Sequence, residues 1–316
     1  MILPNVCVES AINQDSCYFG IDRPEIWTRR NLDFDSIKQF PYDVHYTFNS
    51  RGFRDHEWPT DISELKSSVW LVGSSFSMGI GNPQDQTLSA VLEEKINQRV
   101  INVGMGGSTN QWIQDQALQI INEISPSTMI IHWTLIYLVD DPVKSIEKLA
   151  AKQKFYYQSI KDPSWPDDVE LSQLSSDILK EIENSIEFQR VQQLSADERL
   201  DITTRVSNFL GGDNFLECFE KIESNKKNTQ IIHCFPPSPE SPNLGKFARI
   251  LNTIKLQQVI EYRRPWNPEI EDILYKRYPQ AQILPSIDFI DLARDQLHYG
   301  IKTTHAIADQ IVAGMK

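Results

Sequence analysis

The chain has 316 residues, of which 40% are hydrophobic and 23% are charged, and these proportions are those of an ordinary globular protein. A chain of this length and composition buries a sizeable core, which excludes collagen, low-complexity disorder and disulfide-stapled miniproteins. The net charge of −12 repels phosphate backbones, so we expect no nucleic-acid partner.

The cysteines and the N-terminus both indicate a cytoplasmic protein. The four cysteines form no C-x-x-C pair, which disfavours zinc motifs and a disulfide framework. They are Cys7, Cys17, Cys218 and Cys234. Residues 1–9 lack the basic start of a secretory signal, and Pro4 interrupts them. No apolar run approaches the ~18 residues of a membrane span, so we expect no membrane partner.

Residues 1–65 are expected to form an irregular lead-in that packs on the main domain. Within them, apolar and polar side chains alternate over 42–48, which is typical of a half-buried strand. Gly52 then ends a turn sequence, Asn-Ser-Arg-Gly, because glycine tolerates a positive φ angle. We expect the remaining residues, 66–316, to form one α/β domain.

Short apolar runs alternate with helical patterns from residue 68 onwards. Mostly apolar runs of this length are typical of parallel strands that are buried on both faces. The runs are Val69–Val72, Val100–Val103, Met129–Trp133, Ile231–Phe235 and Ala281–Leu284. They predict a three-layer α/β/α sandwich with a parallel sheet of about five strands. Residues 140–225 interrupt the alternation, and their polar, amphipathic pattern predicts a helical insertion.

Three segments contain side chains suited to catalysis. The first, 73–79, reads GSSFSMG, and the second, 102–110, reads NVGMGGSTN; each follows a predicted strand. The third, 295–300, reads DQLHYG and precedes the last predicted helix. Ligands bind at the carboxyl ends of the strands in open α/β sheets, where the first two segments lie.

The residue types in these segments fit acyl transfer. A serine attacks a carbonyl when a neutral histidine takes its proton, and a carboxylate fixes the histidine tautomer. The spacing of Asp295 and His298 allows one turn of chain to present both side chains on the same side. Backbone N–H groups of glycine-rich loops can bind the resulting oxyanion. Taken singly, each segment also fits a plain turn.

In order and spacing, the three segments resemble the conserved blocks of the SGNH, or GDSL-type, hydrolases. Residues 73–79 are similar to the first block, Gly-Asp-Ser-(Phe/Leu)-(Ser/Thr)-x-Gly, and 102–109 to the second, Asn-x-Gly-x-x-Gly-x-Thr. Residues 295–300 are similar to the last block, Asp-x-x-His followed by Gly. The resemblance covers 42–140 and 228–314, and it implies the α/β/α sandwich of that family.

The resemblance also implies a catalytic role for individual residues. Ser75 is the implied nucleophile, His298 the general base, and Asp295 the carboxylate that orients His298. The backbone N–H groups of Ser75 and Gly107 are the implied donors of the oxyanion hole.

The sequence departs from the family pattern at two places. Ser74 stands where the family has an Asp, so a carboxylate that orders the nucleophile loop is missing. The third block, Gly-x-Asn-Asp, is absent, and residues 131–137 read IHWTLIY instead. Its Asn completes the family's oxyanion hole, and we expect Thr134 or Asn110 to replace it. Losing one such donor typically lowers turnover by ~10²–10³.

Four side chains near these segments are candidates for substrate binding. Ser74 lies beside the nucleophile, Trp133 and Tyr299 offer aromatic faces to sugar rings or acyl chains, and Arg54 can hold an anionic or carbonyl group. Core packing is the alternative for the two aromatic rings, and a surface ion pair is the alternative for Arg54. A G-x-G sequence at 104–106 also fits a dinucleotide-binding turn, although the third glycine of that motif is missing.

We therefore expect a serine esterase or an acyl-transferring enzyme of the SGNH type, acting on a small-molecule or glycan ester. It needs neither a cofactor nor a metal. Water and an alcohol can both accept the acyl group, so the sequence leaves hydrolysis and transfer open. The alternative is a catalytically degenerate binding or structural module, which the two departures favour.

Overall fold

The computed structural model describes residues 6, 8, 11–20, 22–24, 43–135, 214–236 and 268–315. The strands are β1 (Asp15–Ser16), β2 (Tyr46–Thr47), β3 (Val69–Gly73), β4 (Val100–Gly104), β5 (Thr128–His132), β6 (Gln230–Cys234) and β7 (Gln282–Ile283). The helices are α1 (Ile62–Ser67), α2 (Ser75–Met78), α3 (Leu88–Ile96), α4 (Asn110–Glu123), α5 (214–225), α6 (Pro268–Arg277) and α7 (Ile301–Gly314), with a 3-10 turn at Gln84–Gln86.

Strands β3 to β7 form one parallel sheet in the order β4-β3-β5-β6-β7. All five predicted strands are present, and the last is shorter than its apolar run. The chain leaves β3 toward one edge of the sheet and later continues from β5 toward the other edge. Such a reversal opens a crevice at the carboxyl ends of the strands, which is where ligands bind in open sheets.

Helices cover both faces of the sheet because successive strand residues point to opposite sides. Trp70 and Val72 of β3 pack in a core with α4, α5 and α6. Val69 and Leu71 of the same strand pack in a second core with α3 and α7. Two apolar cores on either side of a parallel sheet confirm the predicted α/β/α sandwich.

Most of the predicted insertion lies outside the described residues. Its last part is α5, whose Phe215 and Phe219 are fully buried in the core on β3 and β5. Within the described ranges, no helix has both the length and the apolar character needed to cross a membrane.

The described part of the lead-in packs on the segment that follows β3. Strands β1 and β2 pair antiparallel, and Tyr46 and Phe48 form a small apolar cluster with Met78 and Ile80. The extent of the lead-in as a unit, 1–65, stays a prediction, since 25–42 lie outside the described residues.

Among the described residues, side chains and not a further strand bond the outer edge of β4. The N–H of Val100 donates to Glu93 Oε2 at 2.9 Å, and the N–H of Asn102 donates to Asp55 Oδ2 at 3.1 Å. The N–H of Gly104 donates to Oδ1 of Asn102 at 2.9 Å. These bonds satisfy the donors that an exposed edge strand offers to other chains.

A buried histidine joins β5 to α2. His132 is fully buried at the end of β5, and its Nδ1 lies 2.9 Å from Ser77 Oγ. Burial lowers the pKa of His132 from 6.5 to about 4, since an imidazolium loses its hydration there. The ring is therefore neutral in the folded protein at pH 5, whereas in the unfolded chain it takes up a proton.

Replacing His132 with Gln should weaken the pH dependence of stability. As the pH falls from about 7 to about 5, the unfolded wild-type chain binds the extra proton while the folded protein does not, so the free energy of unfolding should drop by about 2 kcal/mol at this residue. His132→Gln should be less stable at neutral pH but should lose this acid-dependent drop. Urea unfolding at about pH 7 and about pH 5 measures the difference. His56→Gln, at an exposed position, is the control, and equal pH dependence in wild type and His132→Gln would contradict the assignment.

Candidate active site

The ends of three neighbouring strands lie side by side at the carboxyl edge of the sheet. Gly73, at the end of β3, is in register with Gly104 of β4 and with His132 of β5. The loops that follow β3 and β4 therefore start from adjacent points. Two of the three segments singled out in the sequence meet here.

The nucleophile segment folds as a single helical turn directly against these strand ends. A Cβ on Gly73 would collide with Ser77 Oγ and the carbonyl of His132, and one on Gly104 would lie 2.5 Å from the N atom of Met78. Glycine at both positions therefore lets α2 approach the sheet. Ser74 is fully buried and is the N-cap of α2, accepting from the N–H of Phe76 at 3.4 Å.

Ser75 is the first residue of α2 and is half-buried. Among the described residues, no group accepts a hydrogen bond from its backbone N–H. This donor lies at the start of a helix, where N–H groups have no partner within the helix. Ser75 thus offers both its hydroxyl and an uncommitted N–H at the carboxyl edge of the sheet.

The glycine-rich segment after β4 is attached to the same point. The N–H of Met105 and the hydroxyl of Ser108 donate to the carbonyl of Gly73, at 3.2 and 3.4 Å. Gly107 is exposed with φ +75°, and a Cβ there would meet nothing within 4 Å. Its N–H also donates to no other described residue, so this loop supplies a second uncommitted donor.

Asp295 and His298 form a hydrogen-bonded pair in a tight loop before α7. Nδ1 of His298 lies 2.6 Å from Asp295 Oδ2, and both side chains are almost completely buried. Oδ1 of Asp295 accepts from the N–H groups of Leu297 and His298, each at 3.1 Å. The Asp295 carboxylate therefore holds the imidazole with its proton on Nδ1, which leaves Nε2 as a base.

The charge state of Asp295 follows from these contacts. Burial is the largest single influence and raises the pKa of the Asp295 carboxyl group, but the interactions with the His298 ring and the hydrogen bonds from two backbone N–H groups together lower it by more. The resulting pKa lies below the ordinary value of 3.8. Asp295 is thus an ionised carboxylate at neutral pH.

Aromatic contacts bring His298 to the nucleophile helix. The ring of Phe76, which follows Ser75, meets the His298 ring edge-on at a centroid distance of 4.9 Å. Tyr299, which is almost completely buried, stacks on Phe76 at a centroid distance of 5.4 Å and donates from its hydroxyl to the Phe76 carbonyl at 3.0 Å. Ser75 and His298 are both described, and no hydrogen bond joins their side chains in this structure. Catalytic hydrogen bonds are often long without substrate.

Backbone contacts hold the Asp295 loop against the turn after α2. The N–H of Arg294 donates to the carbonyl of Gly81 at 3.1 Å. Gly81 has φ +79°, and a Cβ on it would lie 2.8 Å from Ala293 Cβ and 3.0 Å from the N atom of Arg294. Asn82 extends the contact by donating from Nδ2 to the carbonyl of Tyr299 at 2.9 Å.

The four side chains predicted to bind substrate, those of Ser74, Trp133, Tyr299 and Arg54, are all buried inside the protein, so this part of the prediction is wrong for the structure described. All the guanidinium donors of Arg54 are used, and its partners are Gln84 Oε1 and the carbonyls of His45, Met78, Gly79 and Asn82. Burial lowers the pKa of Arg54 to about 10, so it stays charged. Trp133 is fully buried, and its Nε1–H donates to Nδ1 of His233 at 3.1 Å. In this conformation Arg54 braces the loop after α2, and Trp133 packs the core.

Asn110 and Thr134, the expected substitute donors, are bonded to each other. The N–H of Thr134 donates to Asn110 Oδ1 at 3.2 Å, and Nδ2 of Asn110 donates to the carbonyl of Leu135, also at 3.2 Å. The Thr134 N–H is therefore committed. An amide Nδ2 has two hydrogens, so Asn110 has a second one besides the bond to Leu135.

Sequence reasoning missed several residues that hold the site together. Asn102 begins the second block without an assigned role, yet its Nδ2 donates to the carbonyl of Ser77 at 3.0 Å, which fixes α2 from beneath. Asp22, Tyr46 and Arg294 were not singled out. The only local signal for them is that Arg294 directly precedes Asp295. No three His, Cys, Asp or Glu side chains of the described ranges are grouped so that they can hold a metal ion.

No protein-family model and no curated protein matches the chain. Among solved structures, it is similar to a lipolytic protein of the G-D-S-L family from Desulfitobacterium hafniense, at 15% identity and a TM-score of 0.36, covering 78% of this chain and 99% of that one. It is also similar to a lipase/acylhydrolase from Enterococcus faecalis, at 13% identity and a TM-score of 0.40, covering 79% and 95%. A family two carbohydrate esterase from Clostridium thermocellum has 9% identity and a TM-score of 0.36, covering 82% and 66%. At these identities and TM-scores, no residue role is transferred from those proteins to this chain.

Gly81→Ala should separate the Asp295 loop from the turn after α2. Its Cβ would strain a positive φ angle and also collide with 293 and 294, so the free energy of unfolding should fall by at least about 2 kcal/mol. Gly20→Ala is a matched control, because Gly20 has φ +58° but its Cβ would find its nearest neighbour at 3.6 Å. That variant should lose only about 1 kcal/mol. Urea unfolding compares the two, and equal losses would show that the loop contact is loose.

Proposed function

We propose that the protein is a serine hydrolase or acyltransferase that acts on an ester through Ser75, His298 and Asp295. The observation that supports it most directly is the buried 2.6 Å contact between Asp295 and His298, with the His298 ring packed edge-on against Phe76, the neighbour of Ser75. An ionised carboxylate, an oriented imidazole and a serine hydroxyl then occur in the order that acyl transfer requires.

The proposed reaction begins at the serine hydroxyl. Ser75 Oγ bonds to the ester carbonyl carbon while Nε2 of His298 takes the hydroxyl proton. The imidazolium that forms keeps its Nδ1–H bonded to Asp295, whose negative charge stabilises it. The proton then passes from Nε2 to the leaving alcohol as the C–O bond breaks. Water or an acceptor alcohol attacks the acyl-enzyme by the same steps in reverse order.

The proposed oxyanion hole consists of backbone donors. The N–H groups of Ser75 and Gly107 are both uncommitted among the described residues, and fixed donors of this kind stabilise the charge that develops on the carbonyl oxygen. The second Nδ2 hydrogen of Asn110 is the proposed third donor. A two- or three-donor hole of this composition needs neither a metal nor a cofactor.

The substrate is proposed only as a class. A half-buried serine at the open carboxyl edge of the sheet suits a small-molecule ester or an acyl group on a glycan. With Arg54, Trp133 and Tyr299 all buried inside the protein, the exposed loop around Gly107 is the proposed substrate contact beside Ser75. The cytoplasmic location also stays a prediction.

A fluorophosphonate probe should label Ser75 in the wild-type protein. Ser75→Ala should abolish labelling and ester hydrolysis, because no nucleophile remains, and His298→Ala should reduce both by about 10³-fold or more. Intact mass and peptide mapping identify the labelled residue. Ser286→Ala is the matched control, since Ser286 is another half-buried serine that follows a strand of this sheet. The Ser286→Ala variant should still be labelled at Ser75 to the same extent as the wild type. Full hydrolysis by Ser75→Ala would refute the mechanism.

Asp295→Asn should lower kcat while the protein still folds at neutral pH. An amide can turn its NH₂ group toward His298, which favours the tautomer with the proton on Nε2 and removes the base. The expected loss in kcat is roughly 10⁴-fold. Steady-state hydrolysis of a chromogenic ester measures it, with urea unfolding to show that the variant is folded. A kcat within about tenfold of wild type would mean that the carboxylate does not orient the base.

A second candidate function is a degenerate module that binds an ester-like ligand without turnover. Two observations favour it: Ser75 and His298 are not hydrogen-bonded, and the commitment of Asn110 and Thr134 to each other leaves the third oxyanion donor weakly defined. Folded wild-type protein that is not labelled at Ser75, together with a thermal shift caused by an acyl ligand, would support this candidate over the enzyme.

A further inference from the structure

The residue before Asp295 is anchored in the lead-in. The guanidinium of Arg294 donates to the carboxylate of Asp22 from Nη2 at 2.7 Å and from Nε at 3.2 Å to both oxygens. Nη2 also donates to the carbonyl of Cys17 at 2.6 Å. Asp22 is completely buried, so this is a desolvated, multiply bonded pair and not a solvent-exposed salt bridge.

Tyr46 closes these contacts into a ring that includes the loop after α2. Its hydroxyl donates to Asp22 Oδ2 at 2.5 Å and accepts from the N–H of Gly81 at 2.8 Å. Gly81 in turn accepts from the backbone N–H of Arg294 at 3.1 Å. Arg294, at the start of the Asp295 loop, is therefore held at two places. Its side chain is bonded to the lead-in, and its backbone N–H is bonded to the loop after α2.

The charges in this ring show how close Asp295 lies to it. Burial raises the pKa of the Asp22 carboxyl above its ordinary value of 3.8, the hydrogen bond from Arg294 lowers it part of the way back, and the nearby charge of Asp295 raises it again. Two buried carboxyl groups thus share one neighbourhood, with Arg294 as the cation that compensates Asp22. Removing one partner of a buried pair leaves the other uncompensated, which is strongly unfavourable.

We propose that Arg294, held by Asp22 and Tyr46, is a positioning residue that sets the Asp295–His298 pair beside Ser75. This inference rests on the proposed function and adds a part of the chain to it. Residues 11–20, 22–24 and 43–48 of the lead-in then belong to the catalytic architecture, because they supply the Cys17 carbonyl and the Asp22 carboxylate that bind Arg294 and the Tyr46 hydroxyl that holds Asp22. A shift of about 1 Å in a catalytic pair can cost roughly 100-fold in rate.

The kinetic test compares two arginines with the same kind of partner. Arg294→Gln should lower kcat roughly 10- to 100-fold while KM stays within about twofold. Arg99→Gln is the matched control: Arg99 Nη2 bonds the buried carboxylate of Asp55 at 2.7 Å, as Arg294 bonds Asp22, but at the amino-terminal edge of the sheet. It should lose comparable stability and keep its kcat within about twofold. Equal kcat values for the two folded variants would overturn the proposal.

A smaller change keeps the test decisive if Arg294→Gln fails to fold. Tyr46→Phe removes the hydroxyl that joins Asp22 to Gly81 and keeps the ring, which is buried in the lead-in cluster. The kcat of Tyr46→Phe should be severalfold lower than that of the wild type at unchanged KM. An unchanged kcat would overturn the positioning role of the hydrogen bonds that join Asp22, Tyr46 and Arg294.

A spectroscopic measurement separates this proposal from the proposed function. The His298 Nδ1–H, 2.6 Å from Asp295, should give a far-downfield proton NMR signal, which is identified by its loss in His298→Gln. The signal should survive in Arg99→Gln and weaken or vanish in Arg294→Gln. A wild type that shows the signal but neither turnover nor Ser75 labelling would refute the enzyme proposal alone, whereas an unchanged signal in Arg294→Gln would refute the positioning role alone.

Discussion

The site depends on the register of three parallel strands, which places Gly73, Gly104 and His132 on one rung at the carboxyl edge of the sheet. Since Gly73 and Gly104 have no side chains, α2 can turn directly on top of this rung. His132 bonds Ser77 from one side of the rung, and Asn102 holds the Ser77 carbonyl from beneath. A helix of four residues has little stability of its own, so these tertiary contacts hold Ser75 in place.

Buried charged side chains of the lead-in brace the candidate site, although no lead-in residue takes part in the proposed reaction. Arg54 uses its guanidinium to bind carbonyls of the loop after α2, and Asp22 binds the arginine that precedes Asp295. Both are buried charged groups that are stable only while their partners stay in place. Such contacts leave few alternative positions for the two loops, because each displacement would strip a charge of its hydrogen bonds. Contacts of the lead-in with the loop after α2 and with Arg294 thereby fix one arrangement of the two loops.

The absent third block has a structural counterpart in the bonds of Asn110. Its side chain joins the start of α4 to residues 134 and 135, which follow β5. This bracing orders the wall of the site beside the glycine-rich loop, and it leaves the backbone N–H groups of Ser75 and Gly107 as the proposed main oxyanion donors. An oxyanion hole with fewer side-chain donors relies more on the positions of its backbone donors, and α2 and the Gly107 loop are both attached at Gly73.

The strands could be predicted from the residues alone, since a buried parallel strand is a local run of apolar residues, and the spacing of the segments also pointed to Ser75, Asp295 and His298. It could not determine which polar side chains are buried or with whom they pair, because those partners are far apart along the chain. Arg54 and Trp133 were expected near substrate, and only the folded structure shows the guanidinium bound to five acceptors and the indole inside the core.

The ring of Asp22, Tyr46 and Arg294 shows the same limit most clearly. Asp22 and Arg294 are separated by 272 positions in the sequence, so no local pattern predicts their pairing. Burial and long-range pairing are properties of the tertiary structure, and they decide how the residues named by the sequence are held.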